Sequence, residues 1–181
     1  MVKRFFSLIL PYIRALNPWW VAASVAVTAL CWAVMKRQGR KHIAAVCFTM
    51  LYLCLVYTST VLSRDVVPER GMALKPFWSY AQWIQGNEVF LTYIVLNILM
   101  LLPVGFSLSF VWTDWKKIIL LGFCFSCLIE VSQLLTGRGL FEIDDIFHNT
   151  LGVILGVLLC RFWQGITHRG SVLWEKRNSS P

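Results

Sequence analysis

Five apolar stretches, residues 19–35, 43–62, 89–110, 118–135 and 146–163, divide the chain, and each is 17 to 22 residues long. At ~1.5 Å of helical rise per residue, every one of them reaches across a hydrocarbon layer of ~30 Å. The stretches lack the period-two alternation of membrane strands, and an open sheet would leave its edge groups unsatisfied in lipid. Composition agrees: 57% of residues are hydrophobic and 14% charged, against about 25% charged in an average soluble domain. The expected fold is all-α, a polytopic membrane protein with five transmembrane helices in one bundle. Residues 1–18 form an amino-terminal tail or interfacial helix, 19–163 the transmembrane domain, and 164–181 a basic cytoplasmic tail whose end, 175–181, reads as disordered.

The 17 Lys and Arg residues, which give a net charge of +8, lie mostly in the connections between spans. Their expected partner is the anionic lipid surface rather than nucleic acid. With the 36–42 loop inside, ten basic residues fall on the inner side and four on the outer side, leaving aside three in the amino-terminal tail. The positive-inside rule then places the amino terminus outside and the carboxyl terminus inside. All six cysteines lie within apolar stretches. Cys124 and Cys127 stand on an apolar helix without a second Cys or His pair, so no metal or cofactor is expected.

Polar side chains at membrane depth cost on the order of 2 to 3 kcal/mol each and ask for a partner or a purpose. Asn97 stands in the third stretch, Glu130 and Gln133 in the fourth, and His148 and Asn149 in the fifth. Counted from the nearest outer end, Asn97 lies about 12 Å deep, Glu130 about 7 to 8 Å and Asn149 about 5 Å. They share the outer half. Glu130 and Gln133 are three residues apart, and Asp145 and Asn149 four apart, so each pair occupies one helical face. Arg64 and Arg138 are the cations expected to neutralise Glu130, with Gln133, Asn97 and Asn149 completing its hydrogen bonds. Asp144 is expected either to cap the fifth helix or to join the cluster. The candidate binding residues are therefore Arg64, Asn97, Glu130, Gln133, Arg138, Asp144, Asp145 and Asn149, with no catalytic residue assigned. The cluster serves either as an interhelical hydrogen-bond network or as a site open to the outer leaflet. Gly152 and Gly156 form a stripe for close helix packing, Pro103 and Gly105 a kink and a close approach, and Pro76 the first position of a short helix.

Over about residues 53–163 the chain resembles the VanZ family of bacterial membrane proteins, named for a protein associated with teicoplanin resistance. The resemblance is carried by Arg64 after a span, the turn Lys75, Pro76 and Phe77, and Asn97 followed by Pro103 and Gly105. It continues with Glu130 and Gln133 and the segment GRGLFEIDDIFHNTLGVILG at 137–156. It implies a multi-pass protein of the bacterial cell membrane that confers low-level resistance to teicoplanin and related lipoglycopeptides, a phenotype class rather than a reaction; the leading expectation is a non-enzymatic protein with an outer-leaflet polar site. Implied partners are membrane lipids, the antibiotic itself or a lipid-linked cell-wall precursor. The alternative is a membrane enzyme acting on a polyprenyl-linked or phospholipid substrate, with Glu130 or Asp145 as base and Arg64 and Arg138 holding phosphate. Against it stand the lack of a second acidic motif and of a nucleophile and base pair.

Overall fold

A computed structural model of the protein describes residues 40–66 and 71–178. Helix α1 spans Arg40–Tyr57 and runs into a π-helical segment, Thr58–Leu62. A two-residue strand, β1 (Met72–Ala73), precedes the short helix α2 (Trp78–Ile84). Helices α3 (Val89–Leu108) and α4 (Trp115–Thr136) follow. Strand β2 (Phe141–Glu142) then leads directly into α5 (Ile143–Asn178). Four helical segments, His42–Leu62, Val89–Leu108, Trp115–Thr136 and Ile143–Ile166, are long and apolar enough to cross a membrane. The expected first span, 19–35, and the tail before it lie outside the described residues. The surface agrees with lipid as solvent: Leu120, Leu135, Leu158 and Phe162 are exposed on it, whereas a soluble bundle would turn such side chains inward.

Lipid provides no hydrophobic drive between helices, so close packing and polar cross-links must supply it. Helices α3 and α5 meet through glycine. A Cβ on Gly152 would fall on the Ile98 carbonyl, one on Gly156 on the Leu102 carbonyl, and one on Gly105 on the Val153 carbonyl. The expected stripe is therefore a backbone-to-backbone seam. Leu101, Val104, Ile118, Ile129 and Val153 fill the core beside it, each at most 1% exposed. Helix α1 joins α3 through the Thr49 and Ser107 hydroxyls, 2.7 Å apart, and through the Tyr52 hydroxyl, which donates to the Met100 carbonyl at 2.9 Å.

Several boundaries differ from expectation. Helix α5 starts at Ile143 and continues to Asn178, so 175–178 are helical rather than a disordered tail. Apolar periodicity fades after residue 163, but backbone hydrogen bonding needs no apolar side chains to continue a helix. Pro76 stands two residues before α2, and the residue entering that helix is Phe77, in the left-handed region at φ 60°. Helix α4 ends at Gly137, φ 65°, with the Arg138 N–H closing on the Gln133 carbonyl at 3.0 Å. That closure requires a positive φ, which glycine adopts without Cβ strain.

Topology carries a direct test. With the amino terminus outside, a cysteine at exposed Asn87, before α3, should react with a membrane-impermeant thiol reagent in intact cells lacking the native cysteines. A cysteine at exposed Thr113, between α3 and α4, should not. The reverse labelling would turn the bundle over.

Candidate functional site

The connection between α1 and α3 is folded onto the start of α5 by two devices. Strand β1 pairs in parallel with β2, Met72 opposite Phe141 and Ala73 opposite Glu142. The second device is Asp144, 2% exposed, which accepts from the Phe77 N–H at 2.6 Å, the Ser79 N–H at 2.9 Å and the Ser79 hydroxyl at 2.7 Å. A helix leaves its first N–H groups unsatisfied, and here a carboxylate from another helix meets them at α2. Asp144 thus caps α2 from across the chain; in its own helix it sits within the first turn.

The polar residues of α4 and α5 also find partners other than those expected. Glu130, 1% exposed, accepts from the Glu142 backbone N–H at 2.8 Å. No arginine of the described residues lies within salt-bridge distance of it. Arg138 turns away and donates from Nη1 to the carbonyls of Leu62 at 2.6 Å and Arg64 at 2.8 Å. It closes the carbonyl end of α1 and its π segment, where the last carbonyls lack helical donors. Gln133 donates to the Thr60 carbonyl at 3.0 Å in the same segment. Asn149 donates to the Ser126 hydroxyl at 2.9 Å, and Asn97 to Asp145 Oδ1 at 2.6 Å. The expected pairing of Glu130 with Arg64 or Arg138, completed by Gln133, Asn97 and Asn149, is therefore corrected. Backbone groups freed at helix ends and at the π segment compete for these side chains, and sequence spacing does not reveal them.

Between α1, α2, α3 and α5 lies a cavity of about 700 Å³. Tyr52, Phe90, Tyr93, Leu96, Leu99 and Met100 supply its apolar wall, and Arg64, Glu142, Asp145, Asn97 and His148 its polar end. Of the eight expected residues, Arg64, Asn97, Gln133 and Asp145 line it, while Glu130, Arg138, Asp144 and Asn149 hold the frame around it. Glu142, His148 and Trp78 also line it and are not among the eight expected binding residues. Their signal was present in the segment 137–156 and in the aromatics after Pro76.

Burial pushes the Glu142 carboxyl above the ordinary carboxylate range; Arg64 opposes the shift and Asp144 reinforces it. The Trp78 indole N–H also favours the charged carboxylate, though no hydrogen bond of ordinary geometry forms and that N–H is buried without a partner. His148, 1% exposed, meets the Tyr80 hydroxyl through Nε2 at 3.0 Å, and its Nδ1 has no hydrogen-bond partner. Burial, and then the charge of Asp144, push the Tyr80 hydroxyl above its usual range. Among the described residues no three His, Cys, Asp or Glu side chains are gathered to hold a metal.

A family profile described as VanZ/LLP1 matches residues 43–164, which takes in all but the outermost one or two residues of the four described spans and every lining residue of the cavity. No curated protein and no solved structure was found to match the chain. The match covers more than half of the sequence, and with four helices long and apolar enough to span, this chain is a multi-pass, VanZ-like membrane protein belonging to the VanZ/LLP1 family.

Proposed function

We propose that the protein acts at the outer face of the bacterial cell membrane to lower the effect of teicoplanin and related lipid-tailed glycopeptides, by binding rather than by catalysis. The observation that carries this reading is the cavity, whose apolar wall leads to a charged end built from Arg64, Glu142 and Asp145. That is the shape and chemistry an amphiphile requires. Glu130, Arg138, Asp144 and Asn149 serve the site by fixing the segments that surround it. Its partners are membrane lipids and the tailed drug or a lipid-linked precursor.

Teicoplanin carries an acyl chain, and each buried methylene contributes about 0.8 kcal/mol to membrane partitioning, so its local concentration depends on the interface. Vancomycin has no such chain. In a susceptible bacterium the protein should raise tolerance to teicoplanin more than to vancomycin. Asp145→Asn, present in the membrane at equal level, should abolish the gain. Equal protection against both drugs would indicate a changed shared target, and protection against neither would remove the antibiotic reading.

A further inference from the structure

The polar end of the cavity holds more carboxylate than cation. Four carboxylates stand in or beside it, Glu142 and Asp145 on the lining and Glu130 and Asp144 in the frame. Arg64 is the cation whose charge reaches Glu130, Glu142 and Asp145, and it stands beyond salt-bridge distance of all three. The guanidinium of Arg138 is spent on two carbonyls. Two of the four carboxylates are provided for within the fold. Asp144 accepts three hydrogen bonds at the positive end of α5, and Glu130 is sealed against the Glu142 N–H.

Glu142 and Asp145 differ, since both line the cavity. Asp145 Oδ1 takes the Asn97 amide, and the Glu142 carboxylate has the Trp78 indole N–H as the one donor side chain of the described residues that favours its charge. A half-buried carboxylate with a single neutral donor and no counter-ion within salt-bridge distance is under-compensated, so the cavity presents acceptors in want of a donor that carries positive charge. His148 is an independent sign of the same thing. It is 1% exposed and lines the cavity, and its Nδ1 is unpartnered. In the tautomer that donates from Nε2 to the Tyr80 hydroxyl, Nδ1 offers a lone pair.

We propose that the cavity binds the ammonium group of an acyl-tailed amine, with Glu142 and Asp145 as counter-ions, His148 Nδ1 as a further acceptor, and the tail along Phe90, Tyr93, Leu96 and Leu99. An ammonium has three donors and no acceptor, which matches a lining of two carboxylates and an imidazole lone pair. The inference rests on the cavity being a ligand site, and it names the ligand's chemistry. The same chemistry is offered by a phosphatidylethanolamine headgroup, where Arg64 would meet the phosphate, and by an alkyl amine without phosphate.

The test uses the full chain purified in an uncharged maltoside detergent and offered equal amounts of dioleoyl phosphatidylethanolamine, its N-acetyl derivative and dioleoyl phosphatidylglycerol. Bound lipid is read by native mass spectrometry. The free ammonium should be retained about tenfold more than either of the others, the size expected of one charge-assisted contact. Glu142→Gln and Asp145→Asn should each remove most of this preference, and Glu142→Asp should keep part of it. Dodecylammonium should displace the lipid where ammonium and tail suffice; failure to displace, with the preference intact, would assign the phospholipid headgroup as the source. Arg64→Gln should strengthen dodecylammonium binding by removing a like charge. Equal retention of all three lipids, a preference for phosphatidylglycerol, or weaker dodecylammonium binding in Arg64→Gln would overturn the proposal. The wild-type lipid comparison decides the matter even if the variants fold poorly. Selective retention without teicoplanin tolerance would sink the antibiotic reading alone, and tolerance without selectivity would sink this one alone.

Discussion

Alanine in place of Asp144 should release residues 77–84 from the bundle while the four long helices remain. The carboxylate receives two backbone N–H groups and one hydroxyl, and hydrogen bonds to a buried charged group contribute about 1.5 to 3 kcal/mol each. Phe77 adds to the demand, since it is held at φ 60°, a conformation that costs a bulky residue about 1 to 3 kcal/mol and persists only under outside support. Its ring contacts with Tyr80 and Phe147, at 5.9 and 5.6 Å between centroids, supply part of that support. We expect opening of this segment to become about 3 kcal/mol easier, which corresponds to roughly 100-fold faster amide exchange at Phe77 and Ser79. Asp144→Asn keeps one acceptor oxygen but turns a donor toward an N–H, so its effect should be intermediate. Unchanged exchange in Asp144→Ala would mean that the β1 and β2 pairing alone fastens the segment. Since Trp78 and Ser79 line the cavity, the variant should also lose ligand binding without any change to Glu142 or Asp145.

The four described spans were legible from the sequence because lipid imposes one rule on every backbone group, and apolar length alone then decides the element. The seam was legible for a related reason: Gly152 and Gly156 recur at helical spacing, and close approach is the use a membrane helix makes of such a stripe. The polar cluster was legible as a cluster and misread as a set of pairs. Depth along each helix correctly brought Asn97, Glu130, Asp145 and Asn149 to one end of the bundle. Partner choice depended on where backbone groups go unpaired, at the start of α2, in the π segment and at the end of α4. Arg138 shows this plainly. Its charge suggested Glu130, but the Leu62 and Arg64 carbonyls, left open where α1 ends, are nearer and hold it. Glu142 was left out of the binding set because it stands in a loop by sequence, and β pairing with Ala73 brings it to the cavity wall.

Two glycines on the same helix should respond to the same substitution with opposite sign. Gly152→Ala places a methyl group against the backbone of Ile98, and backbone cannot rotate away as a flexible side chain would. Helices α3 and α5 would have to part, and overpacking of this kind costs about 1 to 3 kcal/mol or more. The loss would spread along the seam, because Gly105 and Gly156 depend on the same approach and the Asn97 to Asp145 hydrogen bond at 2.6 Å bridges the same two helices. Gly165 lies further along α5, exposed, where an added Cβ meets nothing within 4 Å. There alanine only removes glycine's extra backbone entropy, and Gly165→Ala should stabilise the helix by about 0.5 to 1 kcal/mol. Thermal unfolding of the detergent-solubilised protein should therefore show a clear fall for Gly152→Ala and a small rise for Gly165→Ala. A tolerated Gly152→Ala would mean that the helices do not approach through that face. Gly152→Leu, with a bulk no small shift can absorb, should then fail to accumulate in the membrane if the seam is real, and should accumulate normally if it is not.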